Sequence, residues 1–231
     1  SKGLDCIFKT RCFIWACNCQ NIGIYRNGVD AWTEPEQYHM CWQAGAPPDD
    51  FAVKGQNWGF PTYNWHKMQQ NHFEWWRQRF EQMSNYFDAF RIDHILGFFR
   101  IWSIPLNAVE GILGRFVPAL PIHISELGER GIWFDYERYC EPYITDGVVD
   151  EIFGVHANFV KESFLKRKDE LTYELQEQFN TQRKIDDYFA VHSELEEKNL
   201  LRNGLFDLVS NVILFEEEGS SKQQFHFRIS I

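Results

Sequence analysis

The stretch YFDAFRIDHILGFFRIWSIP, from Tyr86 to Pro105, sets Arg91, Asp93 and His94 inside an otherwise apolar run. A charge taken out of water is costly unless something pairs with it or uses it. This run therefore narrows the folds open to the chain more than any other. YFDAFRID is short and aromatic and follows a helix-like segment, which predicts a strand. Strand side chains alternate between faces. Phe87, Ala89, Arg91 and Asp93 then share one face, and Asp88, Phe90 and Ile92 the other. The first face begins apolar and becomes charged toward its C-terminal end. A strand of a (β/α)8 barrel has that gradient, with filled core below and chemistry at the mouth. A buried Arg–Asp ion pair with no chemistry produces the same pattern, and the pattern alone leaves both readings open.

The flanks of this strand are legible to different degrees. AGAPPDDFAVKGQNWGFPTYNW, Ala44 to Trp65, is rich in Pro, Gly and Asp and reads as a long ordered loop. Loops of this length in compact domains are often functional. Beyond it, Asn64 is a fitting N-cap, and Trp65, Met68, His72, Trp76, Arg79 and Met83 recur at helical spacing. That predicts one amphipathic helix of about five turns, ended by Ser84 and Asn85, with Trp75 and Trp76 in the core. After Pro105 the spacing predicts a helix around Asn107–Gly114 in an otherwise irregular stretch, then helices over Asp150–Phe164 and Asn180–Ala190. An apolar run within Gly204–Gly219 reads as a strand, and its EEEG end as a solvated loop. The final QQFHFRISI alternates like a strand and then stops, which points to truncation.

Composition bounds the function. The chain has 231 residues, 44% of them hydrophobic, enough for one large domain or two small ones. The 17% aromatic content fits a rich core or a sugar-binding surface equally well. A formal charge of −10 repels phosphate backbones and anionic lipid, so nucleic acid and membranes are poor partners. No run of about 18 apolar residues is present. Arg11, Cys17 and Cys19 interrupt the apolar residues a signal peptide would need. Cys6, Cys12, Cys17 and Cys19 lack the paired spacing of a zinc site, and no His precedes His39. His123, His156 and His192 are scattered without ligand spacing. Free thiols in a reduced cytoplasm are the expectation.

AGAPPDDF, GQNWGFPTYNW and RIDHILGFFRIW, in that order along the chain, resemble the 4-α-glucanotransferases (amylomaltase, or disproportionating enzyme) from about Ile22 to Ile231. The likeness is to the longer subfamily, which carries an insertion between catalytic elements. It implies an α/β fold: part of a (β/α)8 TIM barrel over 1–105 and a largely helical insertion over 106–231. It also implies retaining transfer of α-1,4-glucan segments between maltodextrins or onto glucose. Retention requires two inversions, hence a carboxylate nucleophile and a second carboxyl acting as acid and then base, about 5–5.5 Å apart. By resemblance Asp93 is the nucleophile, and Arg91 keeps it ionised and oriented. Trp58 contacts the donor glucan, Gln56 and Gly55 line the same loop, Phe51 is a further candidate for glucan stacking, and His94 either contacts substrate or packs at the barrel rim. Neither a metal nor an organic cofactor is implied.

Two departures from the family pattern stand out. Where the family has a sugar-binding Asp in a Gly-Asp-hydrophobic-Pro run, this chain has Asn18-Cys19-Gln20-Asn21. A thiol cannot accept two hydroxyl hydrogen bonds as a carboxylate does. A reading-frame error before this point is the expected cause, and intact codons on resequencing would dismiss it. The family's acid/base Glu follows the insertion and matches no position here, and an incomplete barrel leaves open sheet edges, so the 231-residue chain alone is expected to be inactive and poorly soluble. An α-amylase-type hydrolase and a non-enzymatic glucan-binding fragment are the competing classes. A hydrolase raises the number of reducing ends and a transferase conserves it, whereas a binding module has no need of the charged strand end.

Overall fold

The computed structural model describes residues 23–85, 95–192 and 197–229. The strand expected over 86–93, and with it Arg91, Asp93 and His94, lies outside them, as do Cys6, Cys12, Cys17 and Cys19. The described residues form mixed helix and strand in two compact units. One holds the described residues through Gly45 and the described parts of Trp58–Ser103 and Phe116–Pro118. The other holds Ala46–Asn57, Ile104–Arg115 and the described residues from Ala119 on. No helix among the described residues is long and apolar enough to cross a membrane.

The first unit is organised by rings. Strand Tyr38–His39 pairs antiparallel with Thr62–Tyr63, setting Tyr38 opposite Tyr63 with centroids 5.5 Å apart. Trp76 packs beside Tyr63, Phe98 and Phe80 at 5.3, 5.0 and 5.6 Å, spacings typical of favourable aromatic pairs. Ile24, Ala31 and Met68 complete this core. Strands Trp42–Ala46 and Ile101–Pro105, which belong to this unit through Gly45 and Ser103, each bury three consecutive residues, so both faces are covered. Much of the aromatic excess in this unit is therefore core, Trp75 and Trp76 included.

The single long helix expected after Asn64 is two helices, Trp65–Gln70 and Glu74–Ser84. The Asn64 side chain does cap the first, accepting from the Lys67 N–H at 3.0 Å. The break has an identifiable cause. The His72 N–H bonds the Gln69 carbonyl, and the Phe73 N–H reaches back to Met68 at 2.8 Å. This is the pair of bonds that closes a Schellman motif, with His72 in the left-handed region at φ 57°. Periodicity continues through 65–83 because both helices bury the same side, and it cannot register one left-handed turn. The second helix ends at Ser84 and is capped by Asn85, as expected.

The second unit has a helical core. Helices Asp146–Phe153, Ala157–Ser163, Gln182–Val191 and Lys198–Val209 bury Val149, Phe153, Val160, Ile185, Phe189, Leu205 and Leu208 together. The helix read over Asp150–Phe164 is interrupted at Gly154, which takes φ 53°. Around Asn107–Gly114 only a 3-10 turn forms, Gly111–Leu113. The largest correction concerns the apolar run after Gly204. Its first half belongs to the Lys198–Val209 helix, and only Leu214–Glu216 is strand. Leu201, Leu205, Leu208 and Val209 are buried at helical spacing, but a short apolar run does not distinguish helix from strand by itself. Gly204 costs the helix about 1 kcal/mol in propensity. It is there because a Cβ would lie 2.4 Å from the Phe153 ring.

Two small antiparallel sheets flank this core. Thr172–Leu175 lies between Ile144–Thr145 and Leu165–Arg167. Gln224–Phe227, the strand expected near the C-terminus, lies between Leu214–Glu216 and Ile122–His123. Phe225 is fully buried there, beside Leu127 and Leu214.

Candidate functional site

The segment 47–58 is the part of the expected site that lies within the described residues. Within the stretch read as a long ordered loop, the PPDD cluster builds a turn. Asp49 Oδ1 accepts from the backbone N–H groups of Phe51 at 2.9 Å and Ala52 at 2.6 Å. The Gly55 N–H then closes onto the Ala52 carbonyl at 2.7 Å. This places Phe51 at the tip with its side chain 99% exposed, so the ring contributes nothing to a core. The segment is not loop throughout, since Gln56–Asn57 and Thr62–Tyr63 are short strands.

Gly55 is a glycine by necessity. Its φ of 68° disfavours any side chain, and a Cβ would lie 2.7 Å from the Ala46 carbonyl oxygen and 3.1 Å from Gly111. Gly111 is equally constrained, because a Cβ there would sit 2.6 Å from the Gln56 N. The two backbones touch, and Asn57 Nδ2 donates to the Val109 carbonyl at 3.1 Å beside them. Gln56 projects from this contact and is exposed. Phe51, Gly55 and Gln56 thus belong to the second unit. Trp58 belongs to the first. Its N–H donates to the Ala44 carbonyl at 3.0 Å, and its indole stacks on Phe60 at 5.8 Å, leaving it half-buried.

A polar cluster holds the Val109 and Glu110 backbone, and sequence spacing gives no sign of it. Gln182, fully buried, accepts at Oε1 from the N–H groups of Val109 and Glu110, both at 2.9 Å. Its Nε2 donates to Glu110 at 3.0 Å. Lys54 forms an ion pair with Asp207 on the Lys198–Val209 helix. These partners lie 72 and 153 residues apart in sequence, so no local pattern relates them. Burial pushes the Glu110 carboxyl above its ordinary range; Lys54 opposes the shift and Asp207 adds to it.

The folded state therefore holds the Glu110 proton more tightly than the unfolded chain does. Its contribution to stability is lost as pH rises from the unfolded value through the folded one. Glu110→Gln keeps the shape and removes the charge. It should raise the thermal midpoint at pH 7, with the gain shrinking toward pH 4. Thermal unfolding across that pH range checks this; a loss of stability at pH 7 would refute it.

The EEEG segment is not merely a solvated loop. Glu216 ends a strand and accepts from the Tyr136 hydroxyl at 2.8 Å. Glu217 pairs with Arg115 and with His226 Nε2 at 2.7 Å from it. These partners outweigh the effect of burial and hold the Glu217 carboxyl below its usual range. His123 caps the Ile124–Glu129 helix in a capping box with Glu126. Burial, aided by Glu216 and Glu141, pushes the Cys140 thiol up to about 11, which keeps it protonated and a poor nucleophile.

A family profile described as 4-alpha-glucanotransferase matches residues 20–204. The chain is 44% identical over 206 residues to the 4-alpha-glucanotransferase DPE2 of Oryza sativa subsp. japonica, covering 87% of this chain and 22% of that one. It is 36% identical over 96 residues to the chloroplastic/amyloplastic 4-alpha-glucanotransferase of Solanum tuberosum, covering 39% of this chain and 17% of that one. Among solved structures, an amylomaltase from Streptococcus agalactiae in complex with acarbose aligns with 35% identity over 42% of this chain and 21% of that one, at a TM-score of 0.40. The chain thus spans about a fifth of the length of these relatives.

Proposed function

Because the chain belongs to the 4-alpha-glucanotransferase family, we propose that the complete enzyme transfers α-1,4-glucan segments between maltodextrins or onto glucose with retention of configuration. The family match across residues 20–204 carries this reading. In the first step the Asp93 carboxylate attacks the anomeric carbon. The glycosidic bond breaks, its oxygen leaves with a proton from the acid/base carboxyl, and a β-glycosyl ester forms. In the second step an acceptor hydroxyl gives its proton to that carboxyl and displaces Asp93, restoring the α-linkage. Arg91, two residues before Asp93, lowers the pKa of the nucleophile and keeps it ionised. Trp58, Gln56, Gly55, His94 and Phe51 contact the glucan. The scheme uses neither a metal nor an organic cofactor.

The exposure of Phe51 supports its place as a stacking platform, since a ring held out by an Asx turn is free to meet a pyranose face. The same reading assigns 1–105 to part of a (β/α)8 barrel and 106–231 to an insertion. The helical core built between Ile144 and Val209 supports the second assignment. A structure of the complete enzyme with Ile101–Pro105 outside a barrel wall would reject the first. The cytoplasm is the proposed compartment, and plastid retention of the tagged protein would be the contrary finding.

Maltotriose distinguishes transfer from hydrolysis. Incubated with the complete enzyme it should yield glucose together with maltotetraose and longer chains, at a constant number of reducing ends. Reducing ends that rise with time would assign the protein to the hydrolases instead.

A further inference from the structure

From the polar cluster behind the loop we infer that the helical core of the second unit is a positioning device for glucan binding, acting through Lys54, Asp207 and Gln182. This rests on the proposed function, since it gives the loop that carries Phe51, Gly55 and Gln56 its role as a glucan contact. The geometry forms a continuous chain of support. Gln182, in the first turn of its helix and without solvent access, fixes the Val109 and Glu110 N–H groups at 2.9 Å. The next residue, Gly111, has its backbone against Gly55 and Gln56 so closely that neither glycine has room for a Cβ. Asn57 Nδ2 donates to the Val109 carbonyl. Lys54, immediately before Gly55, pairs with Asp207, which follows Phe206, whose carbonyl lies 3.5 Å from Gln182 Nε2.

Both ends of the support reach the same two helices, Gln182–Val191 and Lys198–Val209. A loop held at Lys54, Gly55 and Asn57 has little freedom left between its Asp49 turn and its strand. Preorganisation of this kind lowers the entropy lost on binding. An anchor outside the reacting centre should act on glucan affinity and leave the chemical step alone. None of these side chains needs to touch sugar; their effect passes through the loop backbone.

The test uses the complete enzyme and maltotriose disproportionation. Asp207→Lys sets two cations together where an ion pair stood, and should raise KM roughly threefold or more with kcat within about twofold of the parent. The exchanged pair Lys54→Asp/Asp207→Lys should recover most of that loss. A purely structural role would lower the folded fraction, and so kcat, with KM unmoved. If Asp207→Lys does not fold, Lys54→Met is read in its place, with the same KM increase expected at smaller size. An unchanged KM, or an increase that the exchanged pair fails to reverse, overturns the inference. Absence of transfer in the parent would instead reject the proposed function, so the two failures are distinguishable.

Discussion

Asp93→Asn in the complete enzyme should lower kcat/KM for glucan transfer by about 10⁴-fold or more while maltodextrin affinity stays within about twofold. The substitution is nearly isosteric, so binding contacts that depend on shape survive. An amide nitrogen or oxygen does not form the glycosyl ester on which a retaining mechanism depends. Under the proposed mechanism Arg91 sharpens the expectation, because a guanidinium assigned to keep the Asp93 carboxylate ionised would be left unmatched beside a neutral amide. Two measurements check it. Transfer from maltotriose gives the rate, and mass spectrometry of a trapped glycosyl adduct on the parent gives the site. Full turnover in the variant, or an adduct mapped to another side chain, would remove Asp93 from this role and leave the ion-pair reading of RID in its place.

What could be read from sequence depended on how locally each feature is encoded. The cap at Asn64 and the helix end at Ser84 are contacts within one turn, and both are as the residues predict. The Asp49 turn is equally local. The break at His72 was not legible, because a left-handed residue other than glycine leaves no compositional mark. Gly204 misled in the opposite direction. A glycine before an apolar run reads as the start of a strand, whereas here it lets the Phe153 ring approach a helix. The support behind Gly55 was the least legible, since Lys54–Asp207 and Gln182–Glu110 connect residues far apart in sequence. Asp93 is a different case: its significance comes from a costly charge in an apolar run of sequence and from family resemblance, and the described residues do not include it.

Phe164→Ala should lower the stability of the helical core by about 3–5 kcal/mol. The side chain is 1% exposed and lies among four rings: Phe159, Phe179, Tyr188 and Phe189, at centroid distances of 5.9, 4.8, 5.9 and 6.0 Å. Its backbone is held as well, the N–H by Val160 and the carbonyl by Gln176. A residue fixed at both ends cannot move to fill the space its ring vacates, and rigid ring neighbours collapse poorly, so most of the cavity persists. Phe51 carries the same side chain with the opposite consequence. At 99% exposure its removal creates no cavity, and its effect on stability should stay within about 0.5 kcal/mol. Hydrogen exchange followed by mass spectrometry in the complete enzyme separates them. Amides between 144 and 209 should exchange faster in Phe164→Ala and at the parent rate in Phe51→Ala. Parent-like protection in Phe164→Ala would mean that the five rings are not the element holding these helices together. The support proposed for the glucan loop would then need a source other than this core.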